Sequence, residues 1–312
     1  MKQIKYTIAV PAYKAKFFEC CLKSILSQTY CNFEIIIVND NSPEDLHSIV
    51  SKFNDDRIIY YENEKNCGAI DVVDNWNKCL DYSTGDYIMC IGDDDMLLPN
   101  CLETYNQLIS DYPGKFVYHG WTEMIDENNN VIRMQEPRPI EESVYSMIWQ
   151  RWQGRSQYIG DFLFDTEMLR GNGGFYKLPL AWASDDITAY IAAEKHGIAN
   201  TQIPVFLYRV NALTISNTGN SDIKILAKNE EIQWYKQFLL KNPVNADIVQ
   251  QTFRSMCIKG LPLFDRLKTE EIVKRDIISH GNFRIFYWLS NKKRLKVSGK
   301  NILIAFLKAQ NK

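Results

Sequence analysis

The stretch YIMCIGDDDMLLP, residues 87–99, combines a strand pattern with a cluster of acidic side chains. Tyr87–Ile91 is a short apolar run after a Thr-Gly-Asp turn, which is typical of a buried strand. The run ends at Gly92 and three consecutive carboxylates follow, Asp93, Asp94 and Asp95. On an extended backbone, alternation would put the first and third of these on one side and the second on the other.

Carboxylates this close repel one another, so the arrangement costs free energy unless a cation lies between them. Oxygen ligands in a loop suit Mg²⁺ or Mn²⁺, which also bind substrate phosphates. The alternative interpretation is an acidic turn whose charge favours the start of the next helix, near Pro99. The stretch alone does not decide between the two.

Length and composition limit the class of protein. The chain has 312 residues, of which 46% are hydrophobic and 24% charged, as in an ordinary globular protein with one large domain or two. A net charge of −2 argues against nucleic acid as the main partner. We expect neither a signal peptide nor a membrane span, because the apolar runs are too short. The eight cysteines form no CxxC pair, which favours a reduced, cytoplasmic protein.

The first half of the chain alternates strand and helix patterns. Strands separated by single helices indicate parallel βαβ units with right-handed crossovers. The predicted strands are Tyr6–Val10, Phe33–Val38, Arg57–Tyr61 and Tyr87–Ile91, and the predicted helices between them are Phe18–Gln28, Glu44–Phe53 and Asp71–Leu80.

Polar stretches stand at the carboxyl ends of these strands, where open α/β sheets bind their ligands. They are Pro11–Tyr13, Asn39–Ser42, Asn63–Gly68 and Gly92–Asp95. No GxGxxG follows the first strand and the chain has no GxxxxGK[ST], which argues against a dinucleotide-binding fold and a P-loop. Asp40 is suited to accept a hydrogen bond from a base or a ribose hydroxyl, and its alternative role is an Asx-turn or a helix cap.

Four motifs, in order over roughly 100 residues, resemble family-2 glycosyltransferases of bacterial polysaccharide, capsule and lipopolysaccharide synthesis. They are VPAYKA, IIIVNDNS, NEKNCG leading to NWN, and GDYIMCIGDDDMLLP. The resemblance implies a GT-A fold, which is a Rossmann-like mixed sheet flanked by helices. It also implies a nucleotide-diphosphate sugar donor, with UDP favoured, and a saccharide or lipid-linked saccharide acceptor.

The resemblance assigns roles to the residues in these motifs. Pro11, Ala12, Tyr13 and Asp40 would border the base and ribose, and Asn66, Gly68 and Asn75 would lie along the nucleotide. Asp93, Asp94 and Asp95 would form the DxD-type motif, in which Asp93 and Asp94 contact the donor and Asp93 and Asp95 hold Mn²⁺ or Mg²⁺. The chain departs from many relatives at Asp74-Asn75, where these carry Arg-Asn, so a positive contact is not implied there.

Further landmarks of the same family follow in the second half. LRGNGGFY, residues 169–176, resembles the family's Gly-Gly-Phe loop near the acceptor. The structural interpretation of the same residues is a left-handed turn that requires glycine. Asp185-Asp186 takes the place of the family's Glu-Asp motif, with Asp186 at the position of the general base. Acidic residues in the first turn, after Ser184 as the N-cap, also favour the start of a helix. YRVN with Ser216 resembles the YRxH segment, and Asn211 stands where relatives often have histidine.

Elsewhere in this half, the pattern predicts a strand over Lys115–His119, a hairpin over Thr122–Met134 and a last strand over Val205–Arg209. From about Asn220 the pattern is helical. We therefore expect a catalytic domain over residues 1–219 and a helical C-terminal region over 220–312.

The resemblance implies an inverting transfer in which Asp186 takes the proton of the acceptor hydroxyl while the metal neutralises the leaving diphosphate. Two alternatives stay open. A non-catalytic nucleotide-sugar-binding protein would keep the donor motifs and lose the base. A sugar-nucleotide pyrophosphorylase would show a glycine- and arginine-rich loop where this chain has PAYKAKF.

The last stretch, residues 283–312, contains eight lysines and arginines, no acidic residue, and interleaved aromatic and aliphatic side chains. One interpretation is a peripheral contact with the cytoplasmic face of a membrane. The other is a terminal helix that packs on the protein and keeps its lysines in water.

Overall fold

A computed structural model describes residues 3–211, 220–243 and 246–310. The chain folds into two compact units, Met1–Lys177 with Ser184–Ala212, and Leu178–Ala183 with Leu213–Lys312. No sequence pattern predicted that the short segment Leu178–Ala183 belongs to the second unit. The predicted division at residue 220 stays a prediction, because residues 212–219 lie outside the described part.

The first unit contains a mixed sheet flanked by helices. Its strands are β1 (Tyr6–Ala12), β2 (Phe33–Asn39), β3 (Ile58–Glu62), β4 (Tyr87–Cys90), β5 (Met96–Leu97), β6 (Val117–Ile125), β7 (Val131–Met134), β8 (Glu141–Glu142), β9 (Phe162–Asp165) and β10 (Ile198–Arg209). Its helices are α1 (Phe18–Leu26), α2 (Leu46–Val50), α3 (Val72–Tyr82), α4 (Cys101–Asp111), α5 (Val144–Trp152), α6 (Thr166–Gly171) and α7 (Ser184–Ala193).

The strands run in the order β3-β2-β1-β4-β9-β6-β10-β5, with β7 paired to β6 and β8 paired to β10. The predicted βαβ units are confirmed, since β1 pairs in parallel with both β2 and β4, and β2 pairs in parallel with β3. All side chains of β2 are buried, as expected for a central parallel strand that is covered on both faces. In the core, Ile8 of β1 and Ile35 of β2 cluster with Leu22 of α1.

The second half of the sheet is partly antiparallel, because β9 lies between β4 and β6 and runs against both. The predicted hairpin is confirmed as the β6–β7 pair, and Asn129 in its turn has a φ of 66°. The predicted last strand, Val205–Arg209, is the end of the longer β10, whose pairing with β6 shifts register around Pro204. Proline lacks the backbone N–H that a regular ladder requires, which fits this irregularity.

The second unit contains four α-helices in its described residues: α8 (Ser221–Leu240), α9 (Ile248–His280), α10 (Arg284–Asn291) and α11 (Gly299–Gln310). The predicted helical C-terminal extension is therefore present. Its core gathers Trp288 of α10 with Ile302 of α11 and Val273 of α9. None of the helices described has both the length and the hydropathy that crossing a membrane requires.

Candidate functional site

The three aspartates after β4 lie in a turn, so the extended, alternating geometry expected for them is wrong. The Asp95 N–H donates to the Gly92 carbonyl at 3.2 Å, which closes the turn. Asp93 and Asp95 are buried, and Asp94 is half-buried. The glycine and three short acidic side chains favour such a turn over continuation of the strand. We call residues 92–95 the aspartate turn.

Asp93 ties this turn to the loop after β1. One of its oxygens, Oδ2, accepts the backbone N–H groups of Tyr13 at 2.6 Å and Lys14 at 2.7 Å. The Ser42 hydroxyl donates to the Tyr13 carbonyl at 2.6 Å, which adds the loop after β2. Three predicted strand-end loops are thus joined by hydrogen bonds at one edge of the sheet.

The end of β10 holds the other two aspartates. The Arg209 backbone N–H donates to Asp95 Oδ1 at 2.9 Å, and its guanidinium Nε donates to the Asp94 carbonyl at 2.7 Å. The Asn211 amide donates to Asp94 Oδ2 at 2.6 Å. Arg209 is fully buried and stacks over the Phe17 ring at 4.2 Å. Arg209 belongs to the YRVN segment, but the sequence pattern predicted no role for its side chain.

The remaining oxygens of Asp94 and Asp95 converge above Gly92. A Cβ placed on Gly92 would lie 2.9 Å from Asp94 Oδ1 and 2.9 Å from Asp95 Oδ2. Both oxygens therefore border one small space, which is open only because residue 92 has no side chain. Two carboxylate oxygens around such a space fit a divalent cation, which would take its other ligands from phosphates and water.

The pKa values of Asp93 and Asp95 are raised, because burial and neighbouring negative charge both disfavour an ionised carboxyl group. Burial, and then the charge of Asp94, raises the pKa of Asp93 to about 6. Burial and the charges of Asp94 and Asp93 raise the pKa of Asp95 well above its ordinary value. Across the described ranges, no group of three or more His, Cys, Asp and Glu side chains is arranged as a metal site.

Asp40 and Asn75 are joined through Asn63, which stands first in the polar stretch Asn63–Gly68 but had no role predicted for it. The Asn63 amide donates to Asp40 Oδ1 at 2.8 Å and to Asn75 Oδ1 at 3.0 Å, and the Cys67 N–H also donates to Asp40 Oδ1, at 2.9 Å. Asn63 stands at the carboxyl end of β3, and this position was the signal that pointed to it. Asp40 thus holds the loop after β3, which is neither the Asx-turn nor the helix cap given as its alternative role; the residue that caps α2 is Asp45.

The outer part of this loop is more exposed. The exposed Asn66 accepts the Gly68 N–H through its own side-chain oxygen, and Gly68 has a φ of +75°. Tyr13 is exposed, Pro11 half-buried and Ala12 buried. The exposed members of the predicted nucleotide set are therefore available to a ligand, whereas Ala12 contributes backbone.

The Gly-Gly-Phe loop is fixed by α3. Asn77 Oδ1 accepts the Phe175 N–H at 2.8 Å, and a Cβ on Gly174 would collide with that amide. Gly173 and Gly174 have φ values of +86° and +89°. The interpretation as a turn that needs glycine is therefore confirmed.

Asp186 is locked in an ion pair at the start of α7. Both of its oxygens accept the Nε of Arg151, at 3.0 and 3.2 Å, and Oδ1 also accepts the Gln157 amide at 2.6 Å. Asp186 is fully buried. No spacing in the sequence pointed to Arg151 or Gln157, because both are remote from α7 along the chain.

Asp185 is the more accessible member of the pair. It is half-buried, and its Oδ1 accepts the Asp186 N–H at 2.9 Å. Burial, and then the Asp186 carboxylate, raises the pKa of Asp185 to about 7, although Arg151 acts against this. A carboxyl group that titrates near neutrality suits proton transfer better than one held in an ion pair.

The phenol of Tyr208 on β10 is influenced by the charges of both the aspartate turn and Asp185. Burial, and then the charges of Asp95, Tyr158, Asp94 and Asp185, raises the pKa of the Tyr208 phenol. Its ring stacks on Tyr158 with the centroids 3.7 Å apart. The charges of Asp94, Asp95 and Asp185 therefore act on the pKa of the same side chain. Ser216, named with the YRVN segment, lies outside the described residues.

Comparison with known proteins bears on the family and the fold of this chain. A family model described as glycosyl transferase family 2 matches residues 7–171. WfgD of Escherichia coli, a UDP-Glc:alpha-D-GlcNAc-diphosphoundecaprenol beta-1,3-glucosyltransferase by name, is 30% identical over 135 residues, which make up 43% of this chain and 52% of WfgD. The match spans about half the length, or less, of the curated relatives.

Solved structures are similar over nearly the whole chain. S. aureus TarS 1-349 in complex with UDP-GlcNAc has a TM-score of 0.65 at 13% identity, covering 99% of this chain and 91% of that one. Mannosyltransferase PcManGT from Pyrobaculum calidifontis, in complex with GDP-Man and Mn²⁺, has a TM-score of 0.55 at 15% identity, covering 99% and 88%. These structures confirm the predicted GT-A fold. Since the family model matches more than half of its residues, the chain belongs to glycosyl transferase family 2.

Proposed function

We propose that this protein is a metal-dependent, inverting glycosyltransferase that moves a sugar from a nucleotide-diphosphate sugar to an acceptor hydroxyl in the assembly of a cell-surface polysaccharide. Family membership supports the reaction class. The observation that carries the proposal is the aspartate turn, whose buried carboxylates join the loop after β1 to the end of β10 and leave two oxygens beside the space at Gly92. A donor site and a proton acceptor are the two parts that a single displacement at a sugar carbon requires.

The donor is a nucleotide-diphosphate sugar, with UDP the favoured nucleotide. WfgD carries UDP-Glc in its name, and TarS was crystallised with UDP-GlcNAc. In this chain the base and ribose would lie against the loops after β1, β2 and β3. The side chains facing them would be Tyr13, Asp40 and Asn66, and Asn75 supports Asp40 through Asn63.

The geometry revises which aspartates would hold Mn²⁺ or Mg²⁺. Asp94 Oδ1 and Asp95 Oδ2 border the space above Gly92, whereas one oxygen of Asp93 already accepts two backbone N–H groups. We therefore assign the ligand pair to Asp94 and Asp95 and give Asp93 the task of holding the loop after β1. When bound, the metal supplies the positive charge that stabilises the leaving diphosphate.

The geometry also favours Asp185, not Asp186, as the general base. Asp185 would accept the proton of the acceptor hydroxyl while that oxygen bonds to the anomeric carbon and the bond to the diphosphate breaks. Arg151 and Gln157 would hold the Asp186 side chain in place beside Asp185, where the Asp186 charge raises the pKa of Asp185. One displacement without a protein nucleophile inverts the anomeric centre.

The acceptor is a saccharide or a lipid-linked saccharide, and the name of WfgD includes a diphosphoundecaprenol acceptor. The Gly-Gly-Phe loop, held by Asn77, would form one wall of its site. The cytoplasmic location of the protein stays a prediction.

Incubation with a panel of nucleotide sugars, Mn²⁺ and saccharide or undecaprenyl-linked acceptors tests the proposal. We expect transfer from one α-linked donor, with NMR showing a β-linked product and loss of activity with a chelator. A product that keeps the donor configuration would contradict inversion. Donor binding without transfer to any acceptor, or to water, would favour the non-catalytic binding protein. Release of sugar phosphate with pyrophosphate as co-substrate would favour the pyrophosphorylase.

A further inference from the structure

The two last helices of the second unit bury one face and expose the other. On the inner face, Trp288 of α10 and Ile302, Ala305 and Ala309 of α11 are buried in a core with α9. The outer faces carry large apolar side chains that no described residue covers. A protein of ordinary composition rarely leaves such side chains together on its surface without a partner.

The exposed side chains follow the helical repeat. On α10 and at its N-cap, Phe283 is 85% exposed and Phe286 65% exposed, one turn apart and opposite the buried Trp288. On α11, Leu303 is 51% exposed and Leu307 63% exposed, again one turn apart. Residues three or four apart share a helix face, so each helix presents one apolar stripe.

A reciprocal pair of amide hydrogen bonds joins the two helices at one end. Asn282 donates to Gln310 at 3.3 Å, and Gln310 donates back to Asn282 at 2.8 Å. This contact joins the start of α10 to the end of α11, so Phe283 and Leu307 lie at the same end of an antiparallel pair. We call the two stripes together the C-terminal apolar face.

Unpaired lysines follow at the other end of the helix pair. Three of the basic side chains are engaged within the unit: Arg284 with Asp276, Arg294 with Asp222 and Lys308 with Glu270, at 2.6–2.7 Å. The exposed Lys292, Lys293, Lys296 and Lys300 have no carboxylate partner among the residues that the structure describes. The stretch that links α10 to α11, together with the first turn of α11, therefore carries four uncompensated positive charges.

We propose that the C-terminal apolar face, with Lys292, Lys293, Lys296 and Lys300, docks on an anionic lipid bilayer. Aromatic and aliphatic side chains beside lysines suit the boundary between headgroups and acyl chains. Each lysine near an anionic surface strengthens binding about five-fold, so four are enough for reversible attachment. A second copy of the chain is a poorer occupant, because a two-fold contact would bring two sets of these lysines together.

Co-sedimentation of the full chain with vesicles tests the proposal, with phosphatidylcholine alone compared with phosphatidylcholine that contains about 30% phosphatidylglycerol. We expect binding to the anionic vesicles only, and a steep loss of binding between about 50 mM and about 500 mM NaCl. Changing the four lysines to glutamine weakens binding by about 10²-fold or more. Phe283→Ser with Phe286→Ser also weakens it, while the circular dichroism spectrum and the melting temperature stay near those of the parent.

Matched controls come from the same unit. Ile248→Ser with Val249→Ser removes exposed apolar side chains of α9, and Lys236→Gln with Lys259→Gln removes exposed lysines of α8 and α9. Both control proteins keep the affinity of the parent for anionic vesicles. Equal binding to neutral and anionic vesicles, or none to either at low salt, would overturn the proposal. Self-association that the Phe283→Ser and Phe286→Ser changes abolish would also overturn it.

This proposal does not depend on the catalytic one. Transfer to a water-soluble acceptor would continue in the lysine and phenylalanine variants, since these side chains belong to the second unit. Loss of vesicle binding with unchanged transfer therefore tests docking alone.

Discussion

At the scale of single residues, the account depends on the different surroundings of two adjacent carboxyl groups. Asp186 is buried and accepts hydrogen bonds from Arg151 and Gln157, whereas Asp185 is half-buried and has a pKa of about 7. The motif alone assigns the base to Asp186, since position in a sequence does not report ion pairs made by remote residues. We propose Asp185 instead, because Asp186 is held in the ion pair and Asp185 is the more accessible of the two.

The substitutions Asp185→Asn and Asp186→Asn distinguish the two assignments. Because asparagine cannot accept the proton, we expect Asp185→Asn to lower kcat by about 10²–10⁴-fold and to leave donor affinity unchanged. Asp186→Asn leaves the Arg151 guanidinium without its counter-charge, so we expect a smaller loss of kcat together with lower thermal stability. The reverse ranking of kcat would restore Asp186 as the base.

The dependence of kcat/KM on pH gives a second measure of the same residue. The base acts in its ionised form, so activity is present above the raised pKa of Asp185 and is lost as the pH falls through about 7. We call this loss of kcat/KM at low pH the acidic limb, and we expect it to disappear in Asp185→Asn. Retention of the limb in that variant would mean that another group titrates.

At the scale of elements, α5 and α7 are coupled by the ion pair between Arg151 and Asp186. The pair is only partly shielded on the arginine side, where 31% of the side chain is exposed. Arg151 therefore acts on both the stability of the buried carboxylate and the charge around Asp185. Asp186 and Asp161 raise the pKa of Asp185, and Arg151 lowers it.

We expect Arg151→Gln to destabilise the protein by about 2–4 kcal/mol, because it leaves a buried carboxylate unpaired. It should also move the acidic limb of kcat/KM to higher pH, since the charge that lowers the pKa of Asp185 is gone. Denaturant unfolding and a pH profile measure the two effects. Arg151→Lys, which keeps the charge, is the control and holds the limb near its parent position. An unmoved limb in Arg151→Gln would exclude this role.

The sequence predicted helices and strands most accurately where the pattern of apolar residues is strong. The β-branched run of β2 and the alternation of strands with helices were sufficient for the parallel half of the sheet. The antiparallel insertion of β9 was not predicted, because pairing partners are set by long-range contacts that no local pattern contains. The aspartate turn was placed correctly along the chain but given the wrong backbone geometry.

At the scale of the whole molecule, the candidate site is assembled from residues far apart in the sequence. Strand-end position indicated Asp40, Asn63 and the aspartate turn, since parallel strands bring their carboxyl ends to one edge of a sheet. It did not indicate Arg209, whose backbone and guanidinium hold Asp95 and Asp94 from 114 and 115 positions away. Such contacts follow from the order of the strands, which the sequence does not state.

The central claim is that the aspartate turn binds the donor diphosphate through a divalent cation held above Gly92. Calorimetric titration of the intact protein with UDP, with Mn²⁺ or with a chelator, tests this claim most directly. The matched variants are Gly92→Ala, whose methyl group would fill the space beside Asp94 Oδ1 and Asp95 Oδ2, and Gly171→Ala, whose methyl group would meet nothing within 4 Å.

The account predicts that Mn²⁺ tightens UDP binding by about ten-fold or more in the parent and in Gly171→Ala. In Gly92→Ala the affinity for UDP is the same with Mn²⁺ and with the chelator, while the melting temperature stays close to that of the parent. Metal-independent UDP binding by the parent, or an undiminished effect of Mn²⁺ in Gly92→Ala, would contradict the claim.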